Sequence, residues 1–184
     1  MAHQTDTYIS IDVEAAGPVP GEYSLLSIGA CVVGAAEKNF YVELKPINFN
    51  FVQAAIDVAG FDLKALDRSG IDPREALRLF EEWLRSVAPI DPAPIFVAYP
   101  LAFDWMFVAY YFQRFIGHNP FGYQGLDIKS YYAGLVGTRW SQSGHEQISA
   151  KLSIEFELTH NAREDAIEQA KLFDRLLNYK KGEA

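Results

Sequence analysis

The sequence predicts an α/β domain in which a mixed sheet is flanked by α-helices. Strand-like stretches come first, an amphipathic helix follows, and one more short apolar strand then precedes three further helices. The chain has 184 residues, enough for one domain with a proper hydrophobic core. Hydrophobic residues make up 49% of it, which excludes a disordered chain. We therefore expect residues 1–184 to form a single domain.

Four strands are predicted from their hydrophobic patterns. Residues 9–14 alternate apolar and polar side chains with period two, which indicates a half-buried strand. The apolar runs 25–33 and 39–44 are separated by residues 34–38, a pattern typical of an antiparallel hairpin. Residues 95–98 form a short apolar run between turn residues, which favours a buried central strand.

The clearest helix is predicted directly after Asp72. An acidic N-cap, Pro73 at the first helical position and Glu75 three residues past the cap together form a helix start signal. Three later stretches are also predicted to be helical: 103–116, 127–136 and 162–181. The remaining stretches are predicted as short helical pieces and loop at 46–70, and as loop at 137–144.

Composition excludes several classes of protein. No run approaches eighteen apolar residues, so a transmembrane helix is not expected. The first residues lack the basic and apolar regions of a signal peptide, and the only cysteine, Cys31, lies in an apolar run. We therefore expect a buried thiol and a cytoplasmic protein. The net charge of −8 argues against coating of long nucleic acid, but an enzyme that grips a short end through divalent cations is compatible with it.

Two acids share one face of the first predicted strand. Asp12 and Glu14 are two residues apart, so their side chains point the same way about 7 Å apart. Like charges at this distance raise each other's pKa unless a cation lies between them. The strand is therefore a candidate cation site, with a solvent-facing strand that carries two ordinary acids as the alternative.

Three further polar residues are candidates for a functional site at the end of this sheet. Asp104 begins a helix directly after strand 95–98, where ligands of α/β sheets collect, although helix capping is an alternative. Asp165 falls on the apolar side of the last helix, which favours a metal ligand or a buried salt bridge. His160 lies five residues earlier and is either a general base or an ordinary cap.

The sequence resembles the DEDDh 3'–5' exonucleases, which include ribonuclease T, oligoribonuclease and the proofreading subunit of bacterial replicase. Three motifs carry the resemblance in the family's order: Asp12-Val13-Glu14, Phe103-Asp104-Trp105-Met106-Phe107 and His160-Asn161-Ala162-Arg163-Glu164-Asp165-Ala166. The resemblance implies a ribonuclease H-like fold with a mixed five-stranded sheet flanked by α-helices. It also implies hydrolysis from the 3' end of single-stranded or short RNA or DNA, with release of nucleoside 5'-monophosphates.

The resemblance also assigns roles to the candidate residues. It implies two divalent cations per active site, Mg²⁺ or Mn²⁺, held by four carboxylates: Asp12, Glu14, Asp104 and Asp165. Such hard cations prefer carboxylate oxygens and water, and a pair of them stabilises the attacking and leaving oxygens of a phosphodiester. His160 is the expected general base.

Substrate contacts follow the family less closely. Six positions are candidates: Ala15, Ala16, Tyr99, Phe103, Trp105 and Asp127. The family usually has a polar pair, often His-Asn, where this chain has Tyr99-Pro100, and threonine is common where it has Ala15-Ala16. Aromatic side chains can stack on single-stranded bases, although core packing is the alternative for each of them. Residues 139–151 are expected to form a flexible flank beside the site, with Trp140 as a further aromatic and Lys129 and Arg139 near phosphates.

Two other functions compete with the exonuclease. One is a catalytically silent nucleic-acid-binding domain with the same fold, and the other is a phosphohydrolase of small nucleotides. The intact set of four acids and one histidine argues against the silent domain. A homodimer is compatible with the apolar helix faces and with the habit of many relatives.

Overall fold

A five-stranded mixed sheet is the centre of the computed structural model, which describes residues 6–89, 91–154 and 159–179. The strands are β1 (Tyr8–Ala15), β2 (Leu25–Val32), β3 (Ala35–Glu43), β4 (Ile95–Ala98) and β5 (Gly125–Asp127). Their order across the sheet is β3-β2-β1-β4-β5. The β1–β2 and β2–β3 pairs are antiparallel, whereas β4 is parallel to both β1 and β5. The predicted α/β class and the five-stranded mixed sheet are confirmed.

Seven helices surround this sheet within the described ranges. They are α1 (Gln53–Ala59), α2 (Leu63–Ser69), α3 (Pro73–Val87), α4 (Leu101–Phe115), α5 (Ile128–Val136), α6 (His145–Leu152) and α7 (Ala162–Leu177). In the main core α3 packs against β3 and α4, and α4 packs against β1. Residues of α5, α6 and α7 bury a second apolar cluster around Val97 of β4. None of these helices is long and apolar enough to cross a membrane.

The period-two pattern of β1 separates core from site. Ile9, Ile11 and Val13 are buried in the main core with α3 and α4. The alternate side chains, Asp12 and Glu14, are half-buried and lie on the α7 face of the sheet, because successive residues of a strand point to opposite faces. The central strand therefore has a dry face that anchors it and an acidic face that remains open to chemistry.

The first turn of α7 lies directly on the sheet because β2 has a glycine at the contact. Gly29 pairs with Asp12 across the β1–β2 ladder. A Cβ atom at position 29 would overlap the carbonyl group of Ala162. The absence of a side chain thus allows the start of α7, which carries Asp165, to approach β1 closely.

Two strand predictions need correction. β3 begins at Ala35 rather than at residue 39, because the chain reverses in a short turn at Val33 and Gly34. Gly34 supplies the left-handed backbone of that turn, with φ of 80°. The resemblance implied a fifth strand, but the hydrophobic pattern did not locate β5, since its three residues have no recognisable period and form a strand by pairing with β4.

In the first two thirds of the chain the predicted helices are present in the structure. The last third contains one helix, α6, that was not predicted. The segment 139–151 was expected to be a loop, but it contains a 3₁₀ turn (Trp140–Gln142) and most of α6. The last helix ends at Leu177, where the Asn178 side chain donates to the Asp174 carbonyl. Residues 180–181 of the predicted helix, and residues 1–5 of the signal-peptide argument, lie outside the described residues. Cys31 is buried, as expected.

Replacing Gly29 by alanine should lower the free energy of unfolding by about 1–3 kcal/mol, because the added methyl group forces α7 away from the sheet. Urea denaturation followed by circular dichroism measures this change. Gly134→Ala in α5 is the matched control, since a Cβ there meets no atom within 4 Å and should raise stability by about 1 kcal/mol. Equal effects of the two substitutions would contradict the close-approach argument.

Candidate active site

The site begins where β1 continues past the end of its parallel neighbour. β4 pairs with β1 only at Tyr8, Ile9 and Ser10, so the later residues of β1 lie beside the start of α4 instead. There the Val13 backbone N–H donates to Asp104 Oδ1 at 2.9 Å. The carboxylate of Asp104 therefore takes the place of a strand partner, directly between the positions of Asp12 and Glu14.

The capping alternative for Asp104 is wrong, because Asp127 has that role. The Leu101 N–H, at the start of α4, donates to Asp127 Oδ2 at 2.8 Å. Asp127 Oδ1 accepts from the Ser130 N–H at 2.7 Å, so the same side chain also caps α5. Asp127 was predicted as a substrate contact, and in the structure its carboxylate joins the N-termini of two helices.

Asp165 is held by the turn that precedes α7. Its side chain is 2% exposed, and its Oδ1 accepts from the Thr159 N–H at 2.7 Å and from the Thr159 hydroxyl at 3.0 Å. Its Oδ2 accepts from the His160 N–H at 2.9 Å. None of the described salt bridges involves Asp165, so its burial rests on hydrogen bonds rather than on the buried base that was the alternative.

His160 is exposed and has an unusual backbone conformation. Its φ is 56°, a left-handed value that residues other than glycine seldom adopt. The hydrogen bond from its N–H to Asp165 holds the backbone in this conformation. The imidazole therefore stands next to a buried carboxylate while its ring remains open to solvent.

Asp12 has a partner that the sequence prediction missed. Gln169 of α7 is fully buried, and its Nε2 donates to Asp12 Oδ1 at 2.8 Å. Its Oε1 accepts from the Tyr99 N–H at 3.0 Å. The available signal was helical spacing, because residue 169 follows Asp165 by four positions and so lies on the same face of α7.

These contacts bring the predicted acids and the histidine into one place. Ligand atoms of Glu14, Asp165 and His160 lie within 4.8 Å of one another. Asp12 interacts electrostatically with Asp104, Glu14 and Asp165. Four carboxylates from β1, α4 and α7 therefore meet at the end of β1, with an imidazole beside them.

Burial and mutual repulsion perturb these acids strongly. Burial raises the pKa of Asp104 to about 8. Burial and the charge of Asp165 raise the pKa of Glu14 to about 7. The pKa of Asp12 is well above its usual value, chiefly because of burial and then because of the charges of Asp104, Glu14 and Asp165.

This electrostatic pattern fits divalent metal binding. Near neutral pH the acids resist losing their protons unless a cation compensates them. Within the described part of the chain, none of the four forms a salt bridge with lysine or arginine. The donor set consists of hard carboxylate oxygens, the ligands that Mg²⁺ and Mn²⁺ prefer.

The predicted substrate positions differ in their surroundings. Ala15 and Ala16 are buried, and the Ala16 backbone is bonded to Ser24 and Val52. Phe103 and Trp105 are half-buried, and each contacts a core phenylalanine, Phe107 and Phe96 respectively. Tyr99 is half-buried, and its hydroxyl donates to the Ser143 carbonyl at 3.0 Å.

Exposed aromatic side chains flank the site on two sides. The Val52 N–H donates to the Ala16 carbonyl at 2.8 Å, which brings the segment after β3 beside the end of β1. Phe49 and Phe51 of that segment are 53% and 50% exposed, and neither belongs to a motif that carries the family resemblance. On the other side, Lys129 Nζ lies 3.6 Å from the ring centre of the exposed Trp140.

A known protein is similar to this chain over nearly its whole length. No family model matches the chain. The chain is 42% identical over 184 residues to the Escherichia coli protein named 3'-5' DNA exonuclease Cap18, and the alignment covers 98% of each chain.

Solved structures share the fold at low sequence identity. The nuclease domain of 3'hExo, a DEDDh family member bound to rAMP, has a TM-score of 0.75 at 14% identity, over 97% of this chain and 94% of that chain. The Mg²⁺- and Mn²⁺-bound form of S. pombe Pop2p has a TM-score of 0.65 at 16% identity, over 92% of this chain and 82% of that chain. The chain belongs to the family of 3'–5' exonucleases that this 42% identical relative represents, and it has the fold of the DEDDh nuclease domain of 3'hExo.

Proposed function

We propose that this exonuclease removes nucleoside 5'-monophosphates one at a time from the 3' end of single-stranded DNA. The observation that carries the proposal is the meeting of four carboxylates and His160 at the end of β1. The relative at 42% identity is named a DNA exonuclease, which favours DNA over RNA as the substrate.

Asp12, Glu14, Asp104 and Asp165 would hold two divalent cations, Mg²⁺ or Mn²⁺. When bound, the cations stabilise negative charge on the attacking and leaving oxygens of the phosphodiester. The scaffold holds one oxygen of Asp12 through Gln169 and one of Asp104 through the Val13 N–H. The orientation of these carboxylates is therefore fixed before any ligand arrives, which reduces the reorganisation that binding requires.

His160 would act as the general base. A neutral imidazole can accept a proton from the attacking water. The water oxygen bonds to phosphorus, the bond from phosphorus to the 3' oxygen breaks, and the 3' oxygen takes a proton from solvent to become the 3' hydroxyl of the shortened strand. Because the His160 ring is exposed, it can return its proton to solvent after each cycle.

Phe49 and Phe51 would stack on the last bases of the strand. Both are exposed, and the contact between Val52 and Ala16 brings their segment next to Glu14. Stacking on aromatic rings suits a single strand, because every base has a face to offer. Of the positions that the resemblance indicates, Tyr99 and Phe103 would border the same strand, whereas Ala15 and Ala16 would shape the floor of the site.

The central test is the direction and product of cleavage. With Mn²⁺, a 5'-labelled single-stranded DNA should give a ladder that shortens from the 3' end. His160→Ala should lower kcat by a factor of about 10²–10⁴, the usual contribution of a general base. Asp12→Asn should lower it at least as much, because it removes a charged ligand. Denaturing gels of timed reactions measure both effects.

Three outcomes of that assay separate the competing functions. Binding of DNA without products would favour the silent domain, and hydrolysis of mononucleotides alone would favour the small-nucleotide hydrolase. A matched RNA oligonucleotide cleaved faster than the DNA would contradict the substrate preference. The homodimer and the cytoplasmic location stay predictions.

The perturbed acids should make metal-free stability depend on pH. Their pKa values in the folded state exceed those of the unfolded chain, so the folded protein binds more protons between about pH 4 and about pH 8. The associated stability is fully present below the lower limit and is lost as pH rises through about 7 and about 8. Melting curves should therefore show a falling Tm over this window, and millimolar Mn²⁺ should reverse the fall.

Asp104→Asn is the matched variant for this prediction. It keeps an oxygen for the Val13 N–H but removes one repelling charge. At about pH 8 the metal-free variant should melt more than about 3 °C above the wild type, equivalent to roughly 1 kcal/mol for a chain of this size. The same variant should respond far less to Mn²⁺. A wild-type Tm that does not change with metal would argue against the cation site.

Removing both exposed phenylalanines should weaken DNA binding. Base stacking contributes about 1–3 kcal/mol per base, so Phe49→Ala with Phe51→Ala should raise KM for a single strand by about 5-fold or more. Steady-state kinetics measure this change. Tyr123→Ala is the control, since Tyr123 is fully exposed but precedes β5, at the end of the parallel strands opposite the site. An equal effect of the control would refute the stacking role.

A further inference from the structure

We propose that Gln169 is a positioning residue that holds the Asp12 carboxylate in its metal-binding orientation and ties it to the segment that carries Tyr99. The inference rests on the proposed function, because it takes Asp12 to be a metal ligand. None of the motifs that carry the family resemblance includes residue 169.

Both ends of the Gln169 amide are engaged. The Tyr99 N–H can only donate, so the oxygen of the amide must face it, at 3.0 Å. The amide nitrogen then faces Asp12 Oδ1, at 2.8 Å. These two contacts determine the orientation of the amide without ambiguity, and a side chain with 0% exposure has no solvent to replace either contact.

A neutral donor suits this position better than a cation. A lysine or arginine here would pair with Asp12 and compete with a divalent ion for its charge. An amide N–H fixes one carboxylate oxygen and leaves the negative charge available to a cation. Partners of this kind orient metal ligands, and their loss typically weakens metal affinity by about 10- to 100-fold.

The position of Gln169 links two ligands through one rigid element. Asp165 and Gln169 are one helical turn apart on α7, so they lie on the same side of the helix. Asp165 would bind a cation itself, whereas Gln169 would set the orientation of Asp12 across the sheet. The separation between two ligands from distant parts of the chain is therefore determined by the packing of one helix on β1.

The Gln169 amide also connects Asp12 to the segment that carries Tyr99. The Tyr99 N–H is bonded to Gln169, and the Tyr99 hydroxyl donates to the Ser143 carbonyl just before α6. A continuous series of contacts thus runs from Asp12 through Gln169 and Tyr99 to the segment that precedes α6. In this chain, which lacks the polar pair usual in the family, Gln169 anchors the Tyr99-Pro100 segment to the carboxylate cluster.

Gln169→Met tests the proposal, because methionine has a similar length and shape but cannot donate to Asp12. Calorimetric titration should show Mn²⁺ binding about 10- to 100-fold weaker than in the wild type. Exonuclease kcat at limiting Mn²⁺ should fall, and a higher Mn²⁺ concentration should restore much of the rate. Gln169→Asn, which keeps the amide but cannot span both contacts, should show the same trend if the methionine variant folds poorly.

Leu176→Val is the control for a merely structural role. Leu176 is buried on the same helix two turns further along and belongs to the second apolar cluster. Its replacement should lower Tm but leave Mn²⁺ affinity unchanged. A Gln169→Met protein with lower Tm and wild-type Mn²⁺ affinity would overturn the positioning role.

Asp12→Asn separates this inference from the function on which it rests. If Asp12→Asn loses Mn²⁺ binding while Gln169→Met retains it, only the role of Gln169 fails. If Asp12→Asn binds Mn²⁺ as the wild type does, Asp12 is not a ligand and the proposed metal site itself fails.

Discussion

Four acids repel one another in a partly buried space at the end of β1, and the rest of the fold has to hold them there. Burial and like charge raise the pKa of Asp12, Glu14 and Asp104, so the metal-free site is a source of instability rather than of stability. The packing of the surrounding sheet and helices, together with hydrogen bonds to the carboxylates, compensates this instability. This is the arrangement expected where binding a cation matters more than the stability of the empty fold.

The fold positions the four acids through contacts with backbone groups and neutral side chains rather than with cationic side chains. The absence of a side chain at Gly29 allows α7 to approach the sheet closely. Because β4 does not pair with Val13, the Val13 N–H is available to donate to Asp104. Asp165 is held by three hydrogen bonds from Thr159 and His160. In each case a backbone group or a neutral side chain orients a carboxylate without neutralising it, so the charge remains available to a metal ion.

The protein carries a net negative charge although its substrate, a nucleic acid, is also negatively charged. A net charge of −8 gives little general attraction for nucleic acid, and no broad basic surface is needed if metal ions supply the local positive charge. Apolar stacking is then the natural means of holding a strand, which agrees with the exposure of Phe49 and Phe51 beside the end of β1. At the start of α5, the Lys129 ammonium group lies over the ring of the exposed Trp140.

The sequence by itself determined the α/β class, the alternating first strand, the capped helix after Asp72, and the acids and histidine that meet at the site. These features follow from local periodicity and from motif chemistry, which are written in consecutive residues. Tertiary structure decided β5, α6, the roles of Gln169 and Asp127, and the position of Phe51. Each of these depends on partners more than about twenty residues away: β5 on β4, Gln169 on Asp12, Asp127 on Leu101. Such pairings leave no local period, because only the folded chain brings the partners within hydrogen-bonding distance.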